Sequence, residues 1–158
     1  MKKKNALLWV LAGLAVLLLA SCGAHQKEPP ALTVTCGDRE ITAWRGSYHW
    51  ERWGQSVIAD SPHPLDVLED LPVLEAQAGE EVELDFPSEP GELAVLAYPD
   101  DCVGAASQAE SVNVPLEGNV LVIPGEGTGM VYEVRTSWSQ GSAVYAFYVP
   151  EAGGEGRG

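Results

Sequence analysis

Apolar and polar residues alternate with a period of two through most of residues 32–150, and no long stripe at helical spacing appears among them. Leu32-Thr33-Val34-Thr35-Cys36 alternates and runs into Gly37-Asp38, a turn signal. Over residues 41–53 the even positions carry Thr42, Trp44, Gly46, Tyr48 and Trp50, and the odd ones Arg45, Ser47, His49 and Glu51. That pattern predicts one long strand with an aromatic, core-directed face and a wet face. Gly46 within it marks a bulge or a close backbone approach. Residues 56–59 form a further short strand, while Pro62 and Pro64 keep residues 60–66 out of a sheet interior, so that stretch reads as a crossing loop. Residues 67–74 predict a helical turn that Pro72 interrupts.

The second half repeats the theme. Val82, Leu84 and Phe86 alternate with Glu81, Glu83 and Asp85, and residues 93–98 are densely apolar, as in a central strand. Residues 99–110 read as a loop, followed by short strands at 111–115 and 119–123. Met130, Tyr132, Val134, Thr136 and Trp138 share one face, with Glu133, Arg135 and Ser137 opposite. A turn at 139–142 leads to Ala143, Tyr145, Phe147 and Val149, so the pair predicts a β-hairpin. Trp50, Tyr132 and Phe147, each on an apolar face, are the predicted core aromatics.

Short strands at near-regular spacing predict an all-β fold, a single immunoglobulin-like β-sandwich of about 7–9 short strands. Tyr132 is similar to the tyrosine corner of immunoglobulin-like domains, with Val134 where their disulfide cysteine stands. The domain is predicted to occupy residues 32–150. Residues 22–31, with Pro29-Pro30, read as a locally stiffened tether, and residues 151–158 as a disordered Gly-rich tail.

Ahead of the tether, Lys2, Lys3 and Lys4 precede an apolar run over residues 6–19 and then Leu19-Ala20-Ser21-Cys22. This arrangement resembles the lipobox of bacterial prolipoproteins. A membrane-embedded peptidase needs small side chains beside the bond it cuts, and acyl transfer needs a thiol. The resemblance implies a cleaved signal helix at residues 1–21, a diacylglyceryl thioether on Cys22, and a protein held on the outer face of the cell membrane. Two acyl chains hold far better than one, at about 0.8 kcal/mol per buried methylene. An uncleaved anchor is the alternative, but the strongly apolar run stops at Leu19, short of the ~20 residues that span a bilayer.

Charge narrows the partners. The chain has 9 basic and 23 acidic residues, and removing the three lysines of residues 1–21 leaves a formal charge of −17. Phosphate backbones demand a basic face, so nucleic acid is excluded as a partner. Lying flat on anionic lipid is disfavoured for the same reason. The predicted partners are the lipid bilayer, through acylated Cys22, and an unidentified envelope protein or ligand.

No residue set carries an obvious chemistry. His25, His49 and His63 show no zinc spacing, the acidic Glu80, Glu81, Glu83, Asp100 and Asp101 lack the alternation of a calcium loop, and no GxSxG elbow occurs. No catalytic residue, metal ligand or cofactor is therefore predicted. Two residues stand out as speculative ligand contacts. His63 is trapped between two prolines with Asp60 and Asp66 nearby, and Trp53 breaks the register of the other aromatics and so predicts an exposed ring. With Cys22 lipidated, Cys36 and Cys102 are the one pair left for a disulfide. Closing the chain between them would stabilise the fold by about 4 kcal/mol. Cys36 reads equally well as a small core residue, and nothing in the sequence brings Cys102 within bridging distance, so both readings stay open.

Three runs carry a wider resemblance: CGDREITAWRGSYHW at 36–50, ADSPHPLD at 59–66 and YEVRTSWSQGSAVYAFYV at 132–149. They resemble an extracytoplasmic module of clostridial-type Gram-positive bacteria. Such modules occur in small lipoproteins and C-terminal to membrane metallopeptidase antibiotic sensors of the β-lactam-regulator type. The resemblance implies the module and its address. It implies no peptidase activity, since this chain has no HExxH, and it carries over no functional residues. The expected function is a non-catalytic surface lipoprotein presenting a β-sandwich interaction module. The alternatives are an accessory to envelope-stress or β-lactam sensing, and an envelope hydrolase, which lacks a catalytic constellation.

Overall fold

At Ala43 the chain crosses from one β-sheet to another. In the computed structural model, which describes residues 27–126 and 128–151, β1 (Thr33–Cys36) and β2 (Arg39–Thr42) form a hairpin in the first sheet, and β3 (Trp44–Arg52) opens the second. Ala43 is buried at the crossing, and its N–H bonds the carbonyl of Leu32 at 2.9 Å. The stretch 41–53 is therefore two strands in different layers. The signal, the lipobox and the tail beyond Glu151 lie outside the described residues.

The remaining strands are β4 (Gln55–Ala59), β5 (Glu81–Asp85), β6 (Glu92–Pro99), β7 (Val112–Val114), β8 (Leu116–Glu117), β9 (Val120–Val122), β10 (Met130–Trp138) and β11 (Gly141–Val149). Of the eleven strands, five form an antiparallel sheet in the order β2-β1-β5-β9-β8, and six form a second in the order β4-β3-β11-β10-β6-β7. The protein is an all-β sandwich. The described residues hold eleven strands rather than 7–9, because the stretch 41–53 is divided and because Leu116–Glu117 adds a two-residue strand.

Between the sheets lies one core, with Val34, Val82, Leu84 and Leu121 on one side and Val95, Val134, Tyr145 and Phe147 on the other. Trp50, Tyr132 and Phe147 are buried, as the alternation predicts. Tyr132 stacks on Phe147 with centroids 5.2 Å apart and planes 6° from parallel. Trp50 meets Trp138 edge to face at 5.6 Å. Burying one such ring contributes roughly 1.5–3 kcal/mol.

The outer face of the six-stranded sheet corrects the sequence reading. A 3₁₀ segment, Pro64–Asp70, closes over that face, and Leu65 and Leu71 pack against Tyr98, Val131 and Ala146 in a second apolar cluster. Residues 72–74 then run beside β11, where Leu74 N–H bonds Tyr148 O at 2.8 Å and Tyr148 N–H bonds Pro72 O at 3.0 Å. The polar face of β10 at Glu133 is thus covered, and Glu133 is 3% exposed.

A bulge corrects a second expectation. Arg45 pairs with Tyr145 and Tyr48 with Ala143, so β3 spends three steps where β11 spends two. The extra residue falls at Gly46-Ser47, opposite Val144, and it reverses the side-chain parity. Trp44 therefore packs in the outer cluster, while Tyr48 packs on the inter-sheet core and Trp50, two residues on, shares its face and meets Trp138.

The cysteines are divided by the same sheet. Cys36 is buried in the inter-sheet core, Cys102 lies in the outer cluster, and both are free. The disulfide weighed from pairing arithmetic is thus not formed, because the six-stranded sheet stands between the two thiols.

Candidate functional site

The bulge on β3, the Pro62-His63-Pro64 loop and the middle of β10 meet on the outer face of the six-stranded sheet. Glu133 and Arg135 are two residues apart on β10 and so project to the same side. Arg135 Nε donates to Glu133 Oε1 at 2.6 Å, and this bond holds the guanidinium pKa above its ordinary value. His63 caps the 3₁₀ segment: its Nδ1 accepts the N–H of Leu65 at 3.2 Å. That bond assigns the proton of a neutral imidazole to Nε2, which faces Glu133 Oε2 at 3.7 Å. The imidazole edge also meets Tyr98, with centroids 4.9 Å apart and planes perpendicular.

Ser47, re-aimed by the bulge, pins the loop from the other side. Its Oγ accepts the N–H of Ser61 at 2.9 Å and donates to Ser61 O at 3.3 Å. A cleft of about 330 Å³ opens between these elements, with Trp44, Gly46 and Val144 as its apolar wall and His63, Glu133 and Arg135 as its polar one. Glycine at 46 makes room for this wall, since a Cβ would stand 2.7 Å from Trp44 Cζ3 and force the indole to shift.

The chemistry of this cleft is cohesive. The Glu133 carboxylate is engaged by Arg135, Ser47 is committed to the Ser61 backbone on both sides, and His63 holds the start of the 3₁₀ segment. These groups fasten the loop to the sheet. Among the described residues, no three His, Cys, Asp or Glu side chains come close enough to share a metal ion.

Trp53, the other speculative contact, lies elsewhere. Arg52 pairs with Gln55, so Trp53-Gly54 is a two-residue hairpin loop, and its φ values of 49° and 74° are both left-handed. That is a type I′ turn, a place where Asn, Asp or Gly is usual and a bulky residue is strained. Trp53 is 70% exposed, and the Arg52 guanidinium stacks 3.9 Å from its ring centre. Its exposure matches the expectation. The structure does not bring it to His63: the cleft adjoins residues 46–47, and Trp53 lies beyond the far end of β3.

A third arrangement was not legible as a site. Arg45 binds Glu28 Oε2 through Nη2 at 2.6 Å and Pro29 O through Nη1 at 2.8 Å, while Tyr145 Oη donates to Pro30 O at 2.5 Å. Pro29 and Pro30 are buried. The end of the stretch read as tether is therefore clamped onto the sandwich. Prolines offer carbonyl acceptors and no N–H, so Pro29-Pro30 is matched to donors alone.

At the opposite sheet, Arg39 donates to Cys36 O at 3.2 Å, to Glu80 Oε1 at 2.6 Å and to Glu75 O, tying the β1–β2 turn to the start of β5. The Arg39 bond, with the N–H of Gln77, holds the Glu80 carboxyl below its ordinary range.

Comparison with known protein families, curated proteins and solved structures finds no match. Among the described residues, no helix is long and apolar enough to cross a membrane.

Proposed function

We propose that this protein is a non-catalytic surface lipoprotein whose lipid-bearing Cys22 holds a β-sandwich interaction module close to the outer face of the cell membrane. The observation that supports this reading is the clamp on residues 28–30. Arg45 and Tyr145 fix the chain only six positions after Cys22. At about 3.6 Å per residue, the leash extends at most about 22 Å. A lipid anchor on so short a leash confines the module to the membrane surface and raises its effective concentration for anything else held there. The resemblance to clostridial small lipoproteins gives the same address.

The full-length protein expressed in a Gram-positive host tests the reading. Cys22→Ala is expected to release the protein from the membrane fraction or stall it as an unprocessed precursor. A variant that matures normally and stays membrane-bound would overturn the proposal.

A further inference from the structure

The bonds that fasten the Pro-His-Pro loop use only part of the polar wall of the cleft. Glu133 lines that wall, and its Oε1 is taken by Arg135. Its Oε2 has His63 Nε2 as its nearest polar neighbour among the described residues, at 3.7 Å, beyond hydrogen-bond range. A buried carboxylate oxygen without a full hydrogen bond is costly, so a group that donates to it is favoured there. Arg135 is the reverse case. Its side chain is 56% exposed. Of the several N–H donors of the guanidinium, one goes to Glu133 and Tyr98 stands close enough to take another, so the fork keeps donors for a ligand. Donor, acceptor and donor thus alternate along the wall, as His63 Nε2–H, Glu133 Oε2 and the Arg135 guanidinium.

A ligand for this wall must accept and donate at neighbouring atoms. Glu133 and Arg135 neutralise each other, so the wall does not select an ion, and the acidic chain as a whole repels anions. A peptide strand would need ladder partners, but β3, β11 and β10 beneath the cleft are each paired on both sides. A hydroxyl both donates and accepts at one atom. Placed between His63 Nε2 and Glu133 Oε2, it lies within about 2.8 Å of both, and a second hydroxyl on the next carbon spans Glu133 and Arg135. The opposite wall, with Trp44, Pro62, Pro64 and Val144, is apolar, and the volume of about 330 Å³ falls at the lower end of the range for ligand sites. A sugar ring has both surfaces, a rim of hydroxyls and a face of C–H groups. We infer that this cleft binds the ring of an uncharged saccharide, with its hydroxyls on His63, Glu133 and Arg135 and its C–H face against Trp44. The inference gives a ligand class to the interaction module proposed above. It rests on the reading of the sandwich as a binding module and is independent of the lipid.

The test is a titration of the isotope-labelled full-length protein in detergent, followed by NMR. The probes are triacetylchitotriose, an N-acetylated sugar of the wall-glycan type, and maltotriose, an unacetylated glucoside of the glycolipid-headgroup type, with trialanine as the peptide control. At least one sugar is expected to shift the indole N–H signal of Trp44, identified by its loss in Trp44→Phe, and the ring signals of His63, saturating at millimolar concentration. The signal of Trp53 is expected to stay in place, and the tighter sugar names the source. Arg135→Met, with its thermal unfolding recorded as a folding check, should weaken binding at least tenfold. Cys22→Ala should bind as the wild type does, so a failure of the lipid anchor leaves the sugar result standing. Wild-type signals of Trp44 and His63 that move with neither sugar, an equal response to trialanine, or unchanged affinity in folded Arg135→Met would overturn the inference. The wild-type signals decide even where the variant does not fold.

Discussion

Oε2 of Glu133 stands 3.7 Å from Nε2 of His63, across the gap between the six-stranded sheet and the Pro-His-Pro loop. The other oxygen of the carboxylate takes the Arg135 bond, so a charge that is 3% exposed is flanked by two donors. A buried carboxylate is tolerated on such terms and costly otherwise.

Glu133→Gln keeps the shape of the side chain and removes its charge. It is expected to lower stability by about 1.5–3 kcal/mol, the range for hydrogen bonds to charged groups. Urea denaturation at neutral pH measures this. A loss below ~0.5 kcal/mol would show that the carboxylate does not hold the loop to the sheet.

Gly141 opens β11 opposite Trp50, and a Cβ on it would lie 2.0 Å from the carbonyl oxygen of His49. That atom is backbone and cannot swing aside. Gly141→Ala should cost about 3 kcal/mol, the upper part of the range for overpacking. Gly118, with φ of 66° and nothing within 4 Å of an added Cβ, is the control, and Gly118→Ala should cost only about 1 kcal/mol of backbone strain. Equal losses for the two substitutions, by thermal or urea unfolding, would contradict the account.

What could be read from the sequence follows from how far alternation reaches. The β10–β11 hairpin was legible because Met130, Tyr132, Val134 and Trp138 share one face, with Thr136 the one polar residue among them, and both strands form as expected. Trp44 was placed with Tyr48 and Trp50 because period two cannot reveal a bulge, although Gly46 marked where one stands. The burial of Glu133 was not legible, because alternation separates two faces without saying whether a distant segment covers one of them. The signal for that cover lay in Leu65, Leu68 and Leu71, which are more apolar than an exposed crossing loop requires. The clamp on Pro29 and Pro30 had no local signal, since Arg45 and Tyr145 reach it only through the fold.

Two free thiols on opposite sides of one sheet make a labelling prediction. Cys102, half-buried on the outer face, should react with a maleimide in the native protein, and Cys36 only after unfolding, since burial also pushes its thiol pKa up. The unreduced mature domain should therefore yield two labelled cysteines in denaturant. Labelling that appears only after reduction would show a disulfide and contradict the structure.

Acid stability should depend on Glu80. Its folded-state carboxyl lies below the ordinary value of 4.5, chiefly because of the Arg39 hydrogen bond. A depressed carboxylate pKa contributes stability that is present above the unfolded value and lost as pH falls through the folded one. The Tm of the wild type should therefore fall below about pH 4.5, and Glu80→Gln should flatten that part of the profile. Parallel profiles for the two proteins between pH 6 and pH 3 would remove Glu80 from the acid transition.

The central claim is that Cys22 carries a lipid and begins the mature chain. Mass spectrometry of the N-terminal peptide from the membrane-extracted protein tests it most directly. The expected peptide starts at Cys22 and carries the added mass of a diacylglyceryl group on the thiol. A peptide that starts at Met1, or one that starts at Cys22 with an unmodified thiol, would contradict it.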